Sequence, residues 1–172
     1  MPEATQGGSS HRPFDCYLSI KGIKGESTDA VHKQWIEVLS FDWGVSQAAG
    51  TGGSGAKERA DFTDLSISKV VDCGSPQIYS YCARGSRLSE VKLEVCTAAG
   101  DKENYFTIIL REAVVASVQV SDAVETSGTT RPVEQVGFRY AKIQWEYTAL
   151  SHPGARGGTM KAGWDLGSNK SL

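Results

Sequence analysis

The sequence predicts a mainly β fold, a β-barrel or two-sheet sandwich-like barrel with one short α-helix on its side. Three observations predict it. Apolar residues recur with a period of two in one segment after another. Polar and glycine-rich stretches separate those segments at strand-length spacing. Only one segment, opening at Ser75-Pro76, has a helix start followed by helical spacing. The 172 residues suit one domain spanning 1–172, and 40% hydrophobic with 22% charged residues is ordinary for a packed core.

Phe14, Cys16, Leu18 and Ile20 alternate, which is a strand with one buried face. Lys21 to Lys33 holds two glycines and a Ser-Thr-Asp run and reads as a long connection. Trp35 to Val45 is the next strand. Its odd positions, Trp35, Leu39, Phe41, Trp43 and Val45, are expected on the core, with Ser40, Asp42 and Gly44 facing away. Ile36 and Val38 make its first half apolar on both faces. Residues 47–59 hold no large apolar side chain and read as an extended glycine-rich loop. Phe62 to Val71 resumes the β pattern through Leu65, Ile67 and Val71. Ser75 is expected as N-cap, Pro76 as the first helical residue and Gly85 as the stop.

Leu88 to Thr97, Tyr105 to Leu110 and Val114 to Val120 are three further strands, and Ser121 to Thr130 is a polar link. In Val136 to Tyr147 the apolar parity switches, from Val136, Phe138 and Tyr140 to Ile143, Trp145 and Tyr147. The strand must therefore bulge or bend near Ala141. A last strand lies around Met160 to Leu166. The polar segment 1–13 is expected to be a flexible arm, with neither the apolar core of a signal peptide nor that of a membrane anchor.

The chemistry-bearing motifs are incomplete. Gly50-Thr-Gly52-Gly-Ser-Gly55 matches a dinucleotide pattern, but the segment after it is β-patterned and offers no helix N-terminus. Lys57 is one place late for a phosphate loop and precedes Glu58. His11, His32 and His152 fall in loops or the arm without a helical partner, so no metal ligand set is expected and His32, near Asp29, reads as a solvated loop residue. Asp61 and Asp64 are three positions apart on a strand and face opposite sides. Cys16, Cys73, Cys82 and Cys96 form no C-x-x-C pair and read as buried and reduced, a Cys73–Cys82 bridge being the alternative. The Trp35, Phe41 and Trp43 stripe reads as core rather than as a sugar-stacking platform. A formal net charge of −2 with scattered basic residues argues against nucleic acid as a partner. No enzyme and no cofactor is expected. The chain reads as a surface built for self-association, with a secreted carbohydrate- or protein-binding β-sandwich module as the alternative.

The order of features resembles the Hcp (haemolysin-coregulated protein) family of the bacterial type VI secretion tube. It is carried by Asp15 to Ser27, His32, Ile36 to Gln47, Asp64 to Lys69, Ser75-Pro76 opening the helix, Ile108 to Glu112 and Gly163-Trp-Asp165. The resemblance implies a homohexameric ring, stacked rings forming a hollow tube, and effector proteins carried in its lumen. It implies sheath, spike and baseplate proteins as partners, no membrane insertion, and export from the bacterial cytoplasm to the extracellular space or a target cell without a signal peptide. It also assigns ring stacking to the loop residues Gly50, Thr51, Gly52, Gly53, Ser54, Gly55 and Lys57. If the second strand lines the ring, Ser40, Asp42 and Gly44 face the lumen and its cargo.

Overall fold

The computed structural model describes residues 14–47, 59–98, 102–126, 129–150 and 157–172. The expected arm at 1–13 and nearly all of the expected loop at 47–59 lie outside them, as do His11, His152 and the residues from Gly50 to Lys57 expected to stack rings. In chain order the elements are β1 (Phe14–Ile20), β2 (Ile36–Glu37), β3 (Ser40–Asp42), β4 (Val45–Ser46), β5 (Asp61–Phe62), β6 (Leu65–Val70) and α1 (Ser75–Arg84). Then follow β7 (Arg87–Thr97), β8 (Asn104–Thr126), β9 (Thr129–Arg139), β10 (Lys142–Thr148), β11 (Thr159–Asp165) and β12 (Lys170–Ser171).

All strand pairs are antiparallel. A first layer runs β12-β11-β10-β8-β7-β1-β2, and a second runs β3-β6-β9-β8. The two enclose one core, with Leu18, Leu93, Ile108 and Ile143 from the first layer against Leu65, Ile67, Val136 and Phe138 from the second. The hydrogen-bonded path ends at β12, β2 and β3 without returning on itself, so the fold is an open sandwich rather than a closed barrel.

β8 joins the layers. Its first half lies between β7 and β10, and its second half pairs with β9. The two strands expected at Tyr105–Leu110 and Val114–Val120 are thus one strand of 23 residues. Glu112 sits within it at φ 51°, and the register shifts between Val115 and Ser117, leaving Ala116 as an extra residue. A bulge of this kind turns a strand without ending it. The expected polar link at 121–130 is instead the end of a hairpin, paired out to Thr126↔Thr129. Main-chain pairing does not require apolar side chains, which is why the alternation fades before the strand does.

The expected strand at Trp35–Val45 is divided among three short strands. Ile36 and Val38 are buried beside β1, but Phe41 and Trp43 face the core beside β6. The chain changes layers between Val38 and Ser40, and the core-facing parity changes with it. Trp35 therefore lies outside the core, and Val45, 48% exposed, is not a core residue. The parity switch near Ala141 has the same origin: β9 belongs to the second layer and β10 to the first, with the bend at Tyr140–Ala141.

Helix α1 begins one residue away from expectation. Gly74 is the N-cap, and Ser75 is the first helical residue, fully buried, with Pro76 behind it. At the other end Gly85 takes φ 60°, and the N–H groups of Gly85 and Ser86 donate to the carbonyls of Cys82 and Tyr81, a left-handed stop that suits glycine. Of the four cysteines, all free, Cys16 and Cys96 are buried, Cys82 is half-buried and Cys73 is exposed.

Candidate assembly surfaces

The outward faces of the two layers differ in chemistry, and strand register fixes both. On the second layer Asp42, Ser66, Gly137 and Ser117 lie side by side across four strands. Ser40, Ser68, Gln135 and Gln119 form the next row. Ser40 and Asp42 are exposed and point away from the core, as expected, and Gly44 is half-buried with its N–H on Thr63 Oγ1 at 2.9 Å. Asp42 is the one ionisable residue of these two rows. The charges at the margins are paired, Asp64 with Arg139 at 3.5 Å and Glu26 with Arg131 at 3.3 Å. The face is small, polar and nearly neutral.

The outward face of the first layer carries charges of both signs. Tyr17, Glu94, Thr107, Glu146 and Lys161 form one row, and Glu90, Arg111, Lys142 and Asp165 another. Ion pairs link Lys92 to Glu94 and Lys161 to Glu146 at 3.0 Å each, and Glu90 to Arg111 at 3.7 Å. Trp35 belongs to this face, with Lys92 Nζ 5.2 Å from its ring centroid.

The connection after β1 is pinned onto that face by a histidine that sequence reasoning placed in solvent. His32 is 2% exposed. Its Nδ1 meets Asp29 Oδ1 and its Nε2 meets Glu94 Oε2, both at 2.8 Å, while its ring stacks on Tyr17 at 4.2 Å. Lys102 closes the cluster, donating to Tyr17 Oη at 2.6 Å and Asp29 Oδ2 at 2.9 Å and pairing with Asp15 at 2.8 Å. Its hydrogen bond, followed by those from His32 and the Val31 N–H, holds the Asp29 carboxyl well below the usual carboxylate range. Cys96 Sγ is 3.9 Å from His32 Nε2. Burial first, and Glu94 second, push its thiol up to about 11, so it stays protonated at neutral pH. Both ring nitrogens are engaged by carboxylates, and the arrangement ties a loop to two strands.

A second polar cluster lies inside. Lys69 and Glu134 are directly opposed across β6 and β9, both 0% exposed, with Nζ 2.5 Å from Oε1. Ser75 Oγ donates to the same carboxylate at 2.6 Å, Tyr79 Oη donates to its other oxygen, and Asp72 lies 3.0 Å from Lys69. Helix α1 is thus fastened to the second layer by polar groups. The signal was present in the sequence: Lys69 shares the parity of Leu65 and Ile67, and Glu134 shares that of Val136 and Phe138.

Comparison with known proteins agrees with this architecture. The family model described as "Type VI secretion system effector, Hcp" matches residues 17–147. "Protein hcp1" of Pseudomonas aeruginosa is 33% identical over 159 residues, 90% of this chain and 96% of that protein. A solved "type six secretion system protein" superposes with a TM-score of 0.83 at 36% identity, covering 92% of this chain and 99% of its own. Hcp1 from Salmonella typhimurium superposes with a TM-score of 0.77 at 29% identity, covering 94% and 100%.

Proposed function

Given that the chain belongs to the Hcp family of type VI secretion, we propose that it is the tube subunit: a protein that forms hexameric rings, stacks them into a hollow tube and carries effector proteins in the bore. The contrast between the two outward faces carries this reading. A tube wall needs one surface for the bore and another for what surrounds it. The nearly neutral Ser/Gln/Gly face of the second layer suits a bore that must hold unrelated cargoes and release them, because it offers hydrogen bonds without fixed charge. The mixed-charge face suits an exterior.

Strand geometry sets the width of such a ring. The second layer contributes four strands, β3, β6, β9 and the far half of β8. Six copies side by side make about 24 strands, which at ~4.8 Å spacing close a wall of about 115 Å circumference, roughly 37 Å across. Closure also removes the open edges that a lone subunit presents. The glycine-rich residues Gly50 to Gly55 and Lys57 are assigned to ring stacking, where each contact is weak and is multiplied by ring symmetry. Sheath, spike and baseplate proteins are the further partners, and export proceeds through the type VI machinery.

Native mass spectrometry should give a six-subunit species, and negative-stain images should show hollow rings. A monomer at high concentration would overturn the proposal. For the bore, a folded Asp42→Arg ring should retain a different set of cargo proteins from the wild type. Identical cargo would remove Asp42 from the lumen.

A further inference from the structure

The β4–β5 ribbon stands apart from the two layers. Its strands pair only with each other, through Val45↔Phe62 and Ser46↔Asp61, and no other strand joins them among the described residues. A ribbon of that size is marginal by itself, so something else must hold it. A chain of hydrogen bonds does. Trp43 Nε1 donates to Tyr140 Oη at 2.6 Å, and Tyr140 Oη donates to the Thr63 carbonyl at 2.8 Å. Thr63 then carries the hold across the root of the ribbon. Its N–H donates to the Gly44 carbonyl at 3.0 Å, and its Oγ1 accepts the Gly44 N–H at 2.9 Å. Tyr140 is buried at the bend between β9 and β10, so the chain of bonds starts from the rigid core. Burial pushes its phenol up, which keeps the proton that it donates.

Packing alone leaves the angle of the ribbon open. Trp43 leans on Phe62 and Trp145, with ring centroids 6.4 and 5.2 Å away. Beside Phe62, however, lies a cleft of about 170 Å³ whose walls include Arg59, Trp164 and Leu166. Apolar contact has no direction, whereas hydrogen bonds do. We propose that Tyr140, acting through Trp43 and Thr63, is a positioning residue for ring stacking. It sets the angle of the β4–β5 ribbon on the sandwich, and with it the direction in which the chain runs out at Ser46 and returns at Asp61. This rests on the stacking role assigned above to Gly50–Gly55 and Lys57, which lie between those two points, and deepens it by naming what aims them. Glycine-rich sequence loses much entropy when a contact orders it. If its stem were free as well, each contact would have to order both. A fixed stem removes one of those costs before a neighbouring ring arrives.

Three variants separate the aiming from the loop itself. Thr63→Val keeps the shape of an exposed β-branched side chain and removes the Oγ1 acceptor, while Thr63→Ser retains it. Tyr140→Phe removes the central hydroxyl. Rings of each full chain are confirmed by native mass, and stacking is counted in negative-stain images over a concentration series. Thr63→Val and Tyr140→Phe should form rings yet need about tenfold more protein to stack, since every ring contact repeats the loss. Thr63→Ser should stack as the wild type does. Hydrogen exchange should quicken in β4 and β5 of Thr63→Val and stay unchanged in β6 and β9. Wild-type stacking by Thr63→Val and Tyr140→Phe would overturn the aiming role and leave the role of the loop standing. Faster exchange across the whole of Thr63→Val would reduce the bond to ordinary fold stability and overturn it too. Unchanged stacking after deletion of Gly50 to Gly55 would overturn the role of the loop, and the proposal with it.

Discussion

Lys69 and Glu134 carry opposite charges into a space where neither meets water, and their value lies in mutual satisfaction rather than in net stabilisation. Lys69→Met leaves the Glu134 carboxylate buried with only Ser75 and Tyr79 as donors, and should cost about 3–5 kcal/mol in urea unfolding. Adding Glu134→Gln removes the stranded charge and should recover part of that loss; equal losses in single and double variants would show that the charge is not what matters. Asp29 governs the acid limb. Its folded value lies below the ordinary unfolded value of about 3.9. Its contribution is therefore complete above that pH and is lost as pH falls further. Stability followed by denaturant titration should decline below about pH 4, and Asp29→Asn should flatten that decline. His32 was misread because its partner Glu94 is 62 residues away, and no local pattern distinguishes a loop histidine in solvent from one covered by Tyr17 and Trp35. Lys69 and Glu134 were legible by parity, since a charged residue at a core position of a strand announces a buried partner.

At the scale of elements, periodicity located most of the strands and placed α1 within a residue of its observed start. What it could not supply was the layer to which each stretch belongs. Trp35–Val45 looked like one strand with a doubly apolar half because it crosses between layers at Val38–Ser40. The same crossing at Ala141 was legible because there the parity switch is clean. The connection from Lys21 to Trp35 is more ordered than its composition suggests. Gly25 donates to the Gln34 carbonyl at 2.7 Å, Ser27 to that of Trp35 at 3.0 Å, and a Cβ at Gly25 would overlap the Trp35 carbonyl. Gly25→Ala should therefore lower stability by about 1–3 kcal/mol, with hydrogen exchange rising first in this connection and β2. Uniform protection across the variant would show that the close approach is not a constraint.

For the whole molecule, the contrast that supports the tube reading was half visible in the sequence. Ser40, Asp42 and Gly44 were legible as outward positions along one stretch, but the neighbours that make the face nearly neutral come from β6, β8 and β9 and are joined only by register. The same contrast makes salt a discriminating variable. If the second layer lines the bore, cargo retained by the ring should change little between low and physiological salt, because that face offers hydrogen bonds with almost no fixed charge. Steep salt dependence of cargo retention would place the cargo on the mixed-charge face instead.

β8 gives the subunit a mechanical character. One covalent strand is the shared member of both layers, laced to β7 and β10 at one end and to β9 at the other. A pull along it loads three ladders in shear at once, rather than peeling hydrogen bonds one after another. Neither layer slides without dragging the other, so the two layers bear thrust as a single beam.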